Sequence, residues 1–524
     1  MNIRLNKNLI ALGLSFFCCT VVALTISQYG IAWDESPYLL SGRSYVQWLL
    51  EPSLHTIDKY WSVNHEHPPL VKILGGITEY LFSEKFSFLD KISAFRLSAL
   101  ISVFFLTYAL FSFSAELYGI GIGLVVTLFF FFLPRVFFQS HLAALDYPLT
   151  AFWFLVIYVY WKGMEKGWKW TIIAVILLGF ALLIKLTALF IYVPLTVCWL
   201  IFHRESSKSE LEGKKDASTK NPDHPVLKLV SVFLVPPAIF VIFWPWLWKN
   251  SFERLSQYFM FHLHHFKIPV FYLGEQYLVA PWHYPLVFVS ITVPLIVLVP
   301  FLLGISKTNS IGNGKINAFI LFNAFFPILI VSLPWIPKYD GVRLFLPSFP
   351  FLCMVSGLGL KFLFQKIKGK RFVSVFVGGY LLLFGISLYA SVIKMHPYQS
   401  SYFNELVGGI NGASEKGFEH DYWGSAYLDT LEWLNRNSTN SFWLCMAAID
   451  PKVYFPFAIY KDMELLKEKV RFTSKDRADY AILLIRQGFF DKEMWEYYLD
   501  EYPVFTVKKS NSLLVGIYRI KKAK

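Results

Sequence analysis

Residues 9–35 read LIALGLSFFCCTVVALTISQYGIAWDE. The apolar part, Leu9 to Ile31, is about as long as a helix must be to cross the hydrocarbon of a bilayer. Two adjacent carboxylates, Asp34 and Glu35, follow directly. Charged groups at a membrane boundary are costly unless they are solvated or put to use. The stretch therefore predicts a spanning helix that delivers an acidic pair to the rim of whatever the later helices build. A plain helix end in the headgroup zone is the simpler alternative, but ionisable groups recur at helix ends all along the chain. Arg4 and Lys7 ahead of the run imitate a signal peptide. The run is too long for a typical signal core and no small-x-small site stands out after it, so it reads as a retained helix.

Composition agrees. Of 524 residues, 55% are hydrophobic and only 16% charged, where a soluble chain carries about a quarter charged. The aromatic load of 52 Phe, 29 Tyr and 17 Trp suits lipid contact and interfacial belts. This is the composition of a polytopic α-helical membrane protein. The net charge of +13 does not point to nucleic acid, because the basic residues sit where they would orient the chain in a membrane. The five cysteines show no metal or disulfide spacing.

Runs able to span lie at 9–31, 92–115, 119–138, 147–162, 170–186, 187–203, 229–248, 285–304, 316–335, 343–363 and 372–393, about eleven helices. The fourth to sixth are short or interrupted, by Lys185 and Pro194. With the N-terminus cytoplasmic, the basic clusters fall on one side. These are Arg4/Lys7, Lys162/Lys166/Lys169, the polar loop 204–228 with Arg204, Lys208, Lys214, Lys215, Lys220 and Lys228, Lys307/Lys315, and Lys361/Lys366/Lys368/Lys370/Arg371. The other side receives 33–91, 139–146, 249–284, 336–342 and the tail from 394. This predicts a multi-pass membrane protein with its outer segments, site and tail outside, in the periplasm or an equivalent lumen.

In the first outer loop, 33–91, Ser36-Pro37 reads as a cap with a first-turn proline, and Leu39, Val46 and Leu49 recur at helical spacing. Pro68-Pro69 opens a second helix with Leu70, Leu74, Ile77 and Leu81 on one face. Both read as amphipathic surface helices flanking Asp34. A soluble domain is expected over 396–524, outside the membrane domain of 1–395. In it Phe442–Met446 and Ala481–Ile485 read as buried strands, Lys492–Leu499 as a helix, and Val504–Val507 with Leu513–Ile517 as a hairpin, which makes a small α/β unit. Lys521-Lys522-Ala523-Lys524 imitates a retrieval signal on the wrong side to be read.

Asp34, Glu35, Glu66, His67, Arg96, His141, Asp146, Lys185, His283 and Arg343 all fall near outer helix ends and could share one cavity. Carboxylates beside cations suit a base for a hydroxyl and a clamp for a phosphate, since Arg binds phosphate oxygens bidentately and Lys acts as a point charge. A lipid phosphate carrying a sugar would place its head at this depth. The competing reading of each is an interfacial side chain that snorkels to water.

In order along the chain stand Trp33-Asp34-Glu35, Glu66-His67-Pro68-Pro69-Leu70, Phe95-Arg96-Leu97-Ser98-Ala99-Leu100, Leu145-Asp146-Tyr147-Pro148, Leu183-Ile184-Lys185-Leu186-Thr187 and Val342-Arg343-Leu344-Phe345-Leu346-Pro347. By order and spacing the set resembles the GT-C glycosyltransferases of the protein O-mannosyltransferase and lipid A aminoarabinose transferase type, over roughly residues 1–395. Tyr402–Gly409 and Asp421-Tyr422-Trp423-Gly424 look like bacterial members of that group. The resemblance implies an outward-facing site that uses a polyprenyl-phosphate sugar. It implies Asp34 as catalytic base, Glu35 as the neighbour that helps hold the acceptor, and Asp146 as the second acid. Arg96, Lys185, Arg343 and His67 are implied near the lipid phosphate, with Lys185 and Arg343 favoured over Arg96. In the aminoarabinose branch the position of Glu66 helps hold a metal with later histidines. Glu66, His265 and His283 are the ligands this chain would offer, with no obligatory metal expected. His67 departs from that branch, which often has Lys there.

The expected reaction is an in-line displacement at the anomeric carbon, with Asp34 taking the acceptor proton and cations stabilising the departing phosphate. One base and no nucleophilic carboxylate predicts inversion. The acceptor is a protein or a glycolipid. The main alternative is a transporter or flippase of a lipid-linked sugar, which needs the cations but no base; the repeated halves common in transporters are not seen in the sequence. A whole-glycan ligase using a diphosphate donor and a structural assembly partner complete the alternatives.

Overall fold

The computed structural model describes residues 6–211, 225–264, 266–367, 369–445 and 455–521. Helices Ala99–Tyr118, Asp146–Lys166 and Phe349–Lys366 contain 20, 21 and 18 residues. At 1.5 Å per residue each is about 30 Å long, the thickness of a bilayer core. All three start at one end of the bundle and finish at the other. At the finishing end Lys162 pairs with Glu116 at 3.1 Å, Lys361 donates to the Leu117 carbonyl at 3.2 Å and Lys228 to that of Gly163 at 2.8 Å. At the starting end lie Arg96, Asp146 and Arg343. Lys162, Lys228 and Lys361 thus lie at the end of the bundle opposite the candidate site residues. Lys214, Lys215, Lys220, Lys368 and the final Lys522–Lys524 lie outside the described residues.

Among the described residues five helical segments are long and apolar enough to cross a membrane: Lys7–Gln28, Lys91–Tyr118, Gly314–Ser332, Arg343–Lys366 and Arg371–Ile393. Shorter apolar helices accompany them, among them Ile120–Phe131, Trp168–Leu182 and Leu295–Lys307. The run expected over 285–304 is two helices, Tyr284–Thr292 and Leu295–Lys307, because Pro294 between them offers no backbone N–H. The expected loop from 204 begins later, since helix Tyr192–Leu211 runs on into it.

The interruption at Lys185 has a physical form. Helix Trp168–Leu182 ends, Lys185 is extended (φ −157°, ψ 142°), and a short tight turn over Leu186–Ile191 leads into the next helix. The break turns the lysine out of the helical ladder and toward Asp146.

The first outer loop holds helices Glu35–Leu50 and Leu70–Glu79. They pack backbone to backbone. A Cβ on Gly76 would lie 2.4 Å from the Gly42 carbonyl oxygen, and one on Gly75 would strike the Phe95 ring. The first helix begins at Glu35, not at Ser36-Pro37, and Asp34 at its N-cap makes no capping hydrogen bond. The side chain is diverted elsewhere, as described below. Leu39 and Val46 are buried as their spacing predicted, whereas Leu49 is exposed.

Strands β1 (Val270–Tyr272) and β2 (Glu275–Tyr277) form a hairpin in the loop after helix Ser251–Leu263. Near the C-terminus β3 (Ser441–Cys445), β4 (Arg471–Phe472), β5 (Tyr480–Leu484), β6 (Phe505–Lys509) and β7 (Ser512–Arg519) form one sheet in the order β4-β3-β5-β7-β6. β3 is parallel to β4 and β5, and β7 is antiparallel to β5 and β6. Helix Lys492–Asp500 and the β6–β7 hairpin match their sequence reading. Ahead of the sheet the chain is stitched into the bundle: Asn404 Nδ2 donates to the Ser290 and Val293 carbonyls at 2.7 and 2.8 Å.

Candidate active site

Arg343 opens the helical segment Arg343–Lys366, one residue (Val342) after two left-handed residues, Asp340 (φ 55°) and Gly341 (φ 62°). Gly341 carries this conformation without a side-chain clash, and Asp is among the few residues that tolerate it. The guanidinium then reaches three carboxylates. Nη2 pairs with Asp34, Nε donates to Asp146 Oδ2 at 2.8 Å, and Nη1 donates to Asp340 Oδ2 at 3.0 Å. Its face lies 4.4 Å from the Trp423 ring. Lys185 Nζ donates to the other oxygen of Asp146 at 2.7 Å.

The two acids on Arg343 are not equivalent. The Asp146 side chain is 1% exposed and both its oxygens are taken, whereas Asp34 keeps 27% exposure. Only Oδ2 of Asp34 accepts a hydrogen bond among the described residues. Asp34 is therefore the carboxylate with a free oxygen and access to solvent. Asp146 is a brace that spaces Lys185 and Arg343.

Beside this cluster lies a cavity of about 230 Å³. Asp146, Lys185, Arg343, His67 and His262 stand in its wall, and the rest is chiefly apolar, with Trp153, Phe190 and Ile330 among the lining residues. An apolar wall with cations at one end suits an apolar chain with an anionic head. Among the described residues the buried His67 Nδ1 has no hydrogen-bond partner, and the ring packs edge-on to Tyr38 at 6.0 Å. Burial first, and then the cations Lys72, Lys185 and Arg343, hold this imidazole well below its usual range, so it is neutral.

Glu35 and Arg96 take a different place from that implied by the resemblance. They form a fully buried bidentate pair, 2.7 Å from Arg96 Nε and 2.6 Å from Nη2. Arg96 also donates to the carbonyls of Ile26, Tyr29 and Gly30, and Glu35 accepts from the N–H groups of Ala32 and Ala143. With every arm engaged, this pair shapes the turn that presents Asp34 and leaves no arm for a ligand. His141 joins the same scaffold through Thr25, at 2.8 Å.

Glu66 accepts from Asn64 at 2.5 Å, His283 shares a hydrogen bond with Tyr272 at 2.8 Å, and His265 lies outside the described residues. Among the described residues no group of three His, Cys, Asp or Glu side chains is arranged to hold a metal ion.

Several contributors escaped the sequence reading. Lys72 is buried and donates to the carbonyls of Asn64 and His67 at 2.6 and 2.7 Å, which fixes the loop carrying His67. Asp340 also receives Arg486, from the segment after β5, at 2.7 Å. Trp423 comes from the Asp421-Tyr422-Trp423-Gly424 motif that the sequence singled out without a role. Near it burial pushes Glu419 up to about 8 and Asp421 up to about 6.

Residues 66–212 match the family model described as dolichyl-phosphate-mannose-protein mannosyltransferase. That segment holds Arg96, Asp146 and Lys185 and excludes Asp34 and Arg343. No curated protein matches the sequence. Among solved structures, ArnT from Cupriavidus metallidurans bound to undecaprenyl phosphate aligns over 98% of this chain and 97% of its own, with 11% identity and a TM-score of 0.52. Its apo state aligns over 97% of both chains with 11% identity and a TM-score of 0.51. The Archaeoglobus fulgidus oligosaccharyltransferase aligns over 96% of this chain and 73% of its own, with 11% identity and a TM-score of 0.43. With a helical bundle and a small C-terminal sheet aligned nearly end to end with ArnT, the chain is a multi-pass membrane protein that shares the fold of ArnT.

Proposed function

We propose that this protein is a membrane glycosyltransferase that moves a sugar from a polyprenyl-phosphate donor to an acceptor hydroxyl with inversion. The observation that carries the reading is the pair of cations, Lys185 and Arg343, set 2.7 and 2.8 Å from one buried aspartate in the wall of a largely apolar cavity. The similar ArnT has been solved with undecaprenyl phosphate, an apolar chain with a phosphate head.

The donor's prenyl chain occupies the apolar wall and its phosphate meets Lys185 and Arg343. Neutral His67 supplies a further hydrogen bond. Asp34 accepts the proton of the acceptor hydroxyl as that oxygen attacks the anomeric carbon. The bond from that carbon to the phosphate oxygen breaks, and its electron pair leaves on the phosphate, where the two cations stabilise it. A phosphate ester is a stable anion and needs no acid. Asp146 is the brace of the clamp, and no second carboxylate is placed to act as a nucleophile, so the configuration inverts. No divalent metal is required. The basic end of the bundle faces the cytoplasm of a bacterial inner membrane, and the site and the C-terminal sheet face the periplasm. The acceptor is a protein or glycolipid hydroxyl.

The test is binding of undecaprenyl phosphate against undecaprenol by the purified full chain in detergent. The reading expects the phosphate to add at least about tenfold in affinity, the worth of one or two charge-assisted hydrogen bonds. Equal affinity for the two lipids would overturn it.

A further inference from the structure

We propose that Arg486, contributed by the C-terminal sheet region, is a positioning residue that tunes the phosphate clamp through Asp340. The inference rests on the polyprenyl-phosphate reading above. Asp340 is held from both sides, by Arg486 Nη2 at 2.7 Å on Oδ1 and by Arg343 Nη1 at 3.0 Å on Oδ2. The two ion pairs are buried: the side chains of Arg343, Arg486 and Asp340 are 11, 10 and 6% exposed. Charges at such sites are weakly screened and their pairwise effects are large.

Taken alone, Arg343 faces three carboxylates, Asp34, Asp146 and Asp340. An arginine so surrounded is a poor partner for a phosphate, which brings more negative charge to the same place. Lys185 offsets the charge of Asp146 and Arg486 that of Asp340. With both in place these three cations balance these three anions; of the further acids near Arg486, Glu419 is pushed up to about 8 by burial and Asp421 accepts from the Trp423 N–H, so Arg343 keeps positive potential toward an anion. The left-handed backbone of Asp340 aims its carboxylate between the two arginines, and such a conformation persists where the surroundings over-determine it. Arg486 also stacks on Phe489, 4.5 Å from the ring centre, which fixes the guanidinium from its own segment.

The proposal predicts effects of opposite sign. Arg486→Gln leaves Asp340 uncompensated beside Arg343 and weakens binding of undecaprenyl phosphate about fivefold or more. Asp340→Asn removes a negative charge from the clamp and tightens it. In the Asp340→Asn background Arg486→Gln changes affinity by less than about twofold, because the group through which it acts is gone. Arg486→Lys, which keeps the charge, stays within about threefold of wild type.

The experiment measures the Kd of undecaprenyl phosphate for the full chain in detergent, for wild type, the single variants and the double variant. Melting temperature without lipid serves as the folding check. Weaker binding by Arg486→Gln that vanishes in the double variant, with recovery in Arg486→Lys, supports the proposal. The same weakening in both backgrounds, or none in either, overturns it. If Arg486→Gln does not fold, the sign for Asp340→Asn decides: tighter binding supports the proposal and weaker binding overturns it. Wild type that binds no undecaprenyl phosphate removes the underlying reading and the proposal together. Wild-type binding with the wrong variant pattern removes the proposal alone.

Discussion

Arg343 is ion-paired with Asp34 across 309 positions of sequence, at the place where two helical segments begin. Asp34 occupies the N-cap of helix Glu35–Leu50, where an aspartate ordinarily accepts from its own helix, yet its side chain makes no cap. The helix gives up that stabilisation, about 1 kcal/mol, so that the carboxylate can face the clamp. In the proposed reaction, a donor phosphate that draws on Arg343 would free Asp34 when the acceptor hydroxyl needs a base.

If Lys185 is half of the proposed phosphate clamp, Lys185→Met should weaken binding of undecaprenyl phosphate about 10- to 100-fold, the value of a lost charged hydrogen bond of about 1.5–3 kcal/mol. Titration of lipid into the purified variant checks it. An unchanged Kd would remove Lys185 from the clamp.

Arg96→Met should act on stability. It leaves Glu35 buried at 0% exposure with its cation gone. Breaking one side of such a pair costs about 3–5 kcal/mol. The melting temperature should fall steeply, and the paired change Arg96→Met with Glu35→Gln should recover much of the loss. A variant as stable as wild type but unable to bind lipid phosphate would instead put Arg96 in the site.

Stability should depend on pH through Glu419. Burial raises its folded pKa from 4.5 to about 8, so between these values the folded state holds a proton that the unfolded chain releases. The contribution is fully present below about 4.5 and is lost as pH rises toward 8. Glu419→Gln should flatten the melting temperature across that window, which a thermal scan at successive pH values reads directly. Asp421, raised from 3.8 to about 6, adds the same dependence over a narrower window at the acid end, lost as pH rises through about 6. An identical slope in Glu419→Gln would assign the effect elsewhere.

Treatment with a chelator should leave transfer unchanged. Glu66 is engaged by Asn64 and His283 by Tyr272, so these two expected ligands have other partners. Loss of activity with EDTA and recovery with one divalent metal would contradict this.

Much of this was legible in the sequence because membrane burial writes long, unbroken signals. Runs such as 9–31 and 343–363 admit one reading, and β5, β6 and β7 carry the short apolar periods of strands. Asp34, Asp146, Lys185 and Arg343 could be assembled because each stands at the edge of an apolar run. Glu35 and Arg96 were harder to place, since a scaffold ion pair and a catalytic pair use the same residue types and only geometry separates them. Asp340 and Arg486 carried no local signal, and their meaning depends on a contact between segments 146 positions apart. β4 contains two residues, too few for any period to register.

In the proposed reaction everything turns on Asp34 acting as the base of the sugar transfer. The most direct measurement is transfer of labelled mannose from polyprenyl-phosphate-mannose into membrane extract, with wild type beside Asp34→Asn. The account predicts label in protein or lipid with wild type, at least about 100-fold less with Asp34→Asn, and unchanged binding of undecaprenyl phosphate. Full transfer by Asp34→Asn would contradict it. Donor flipping that survives the substitution, without transfer by either protein, would identify a transporter instead.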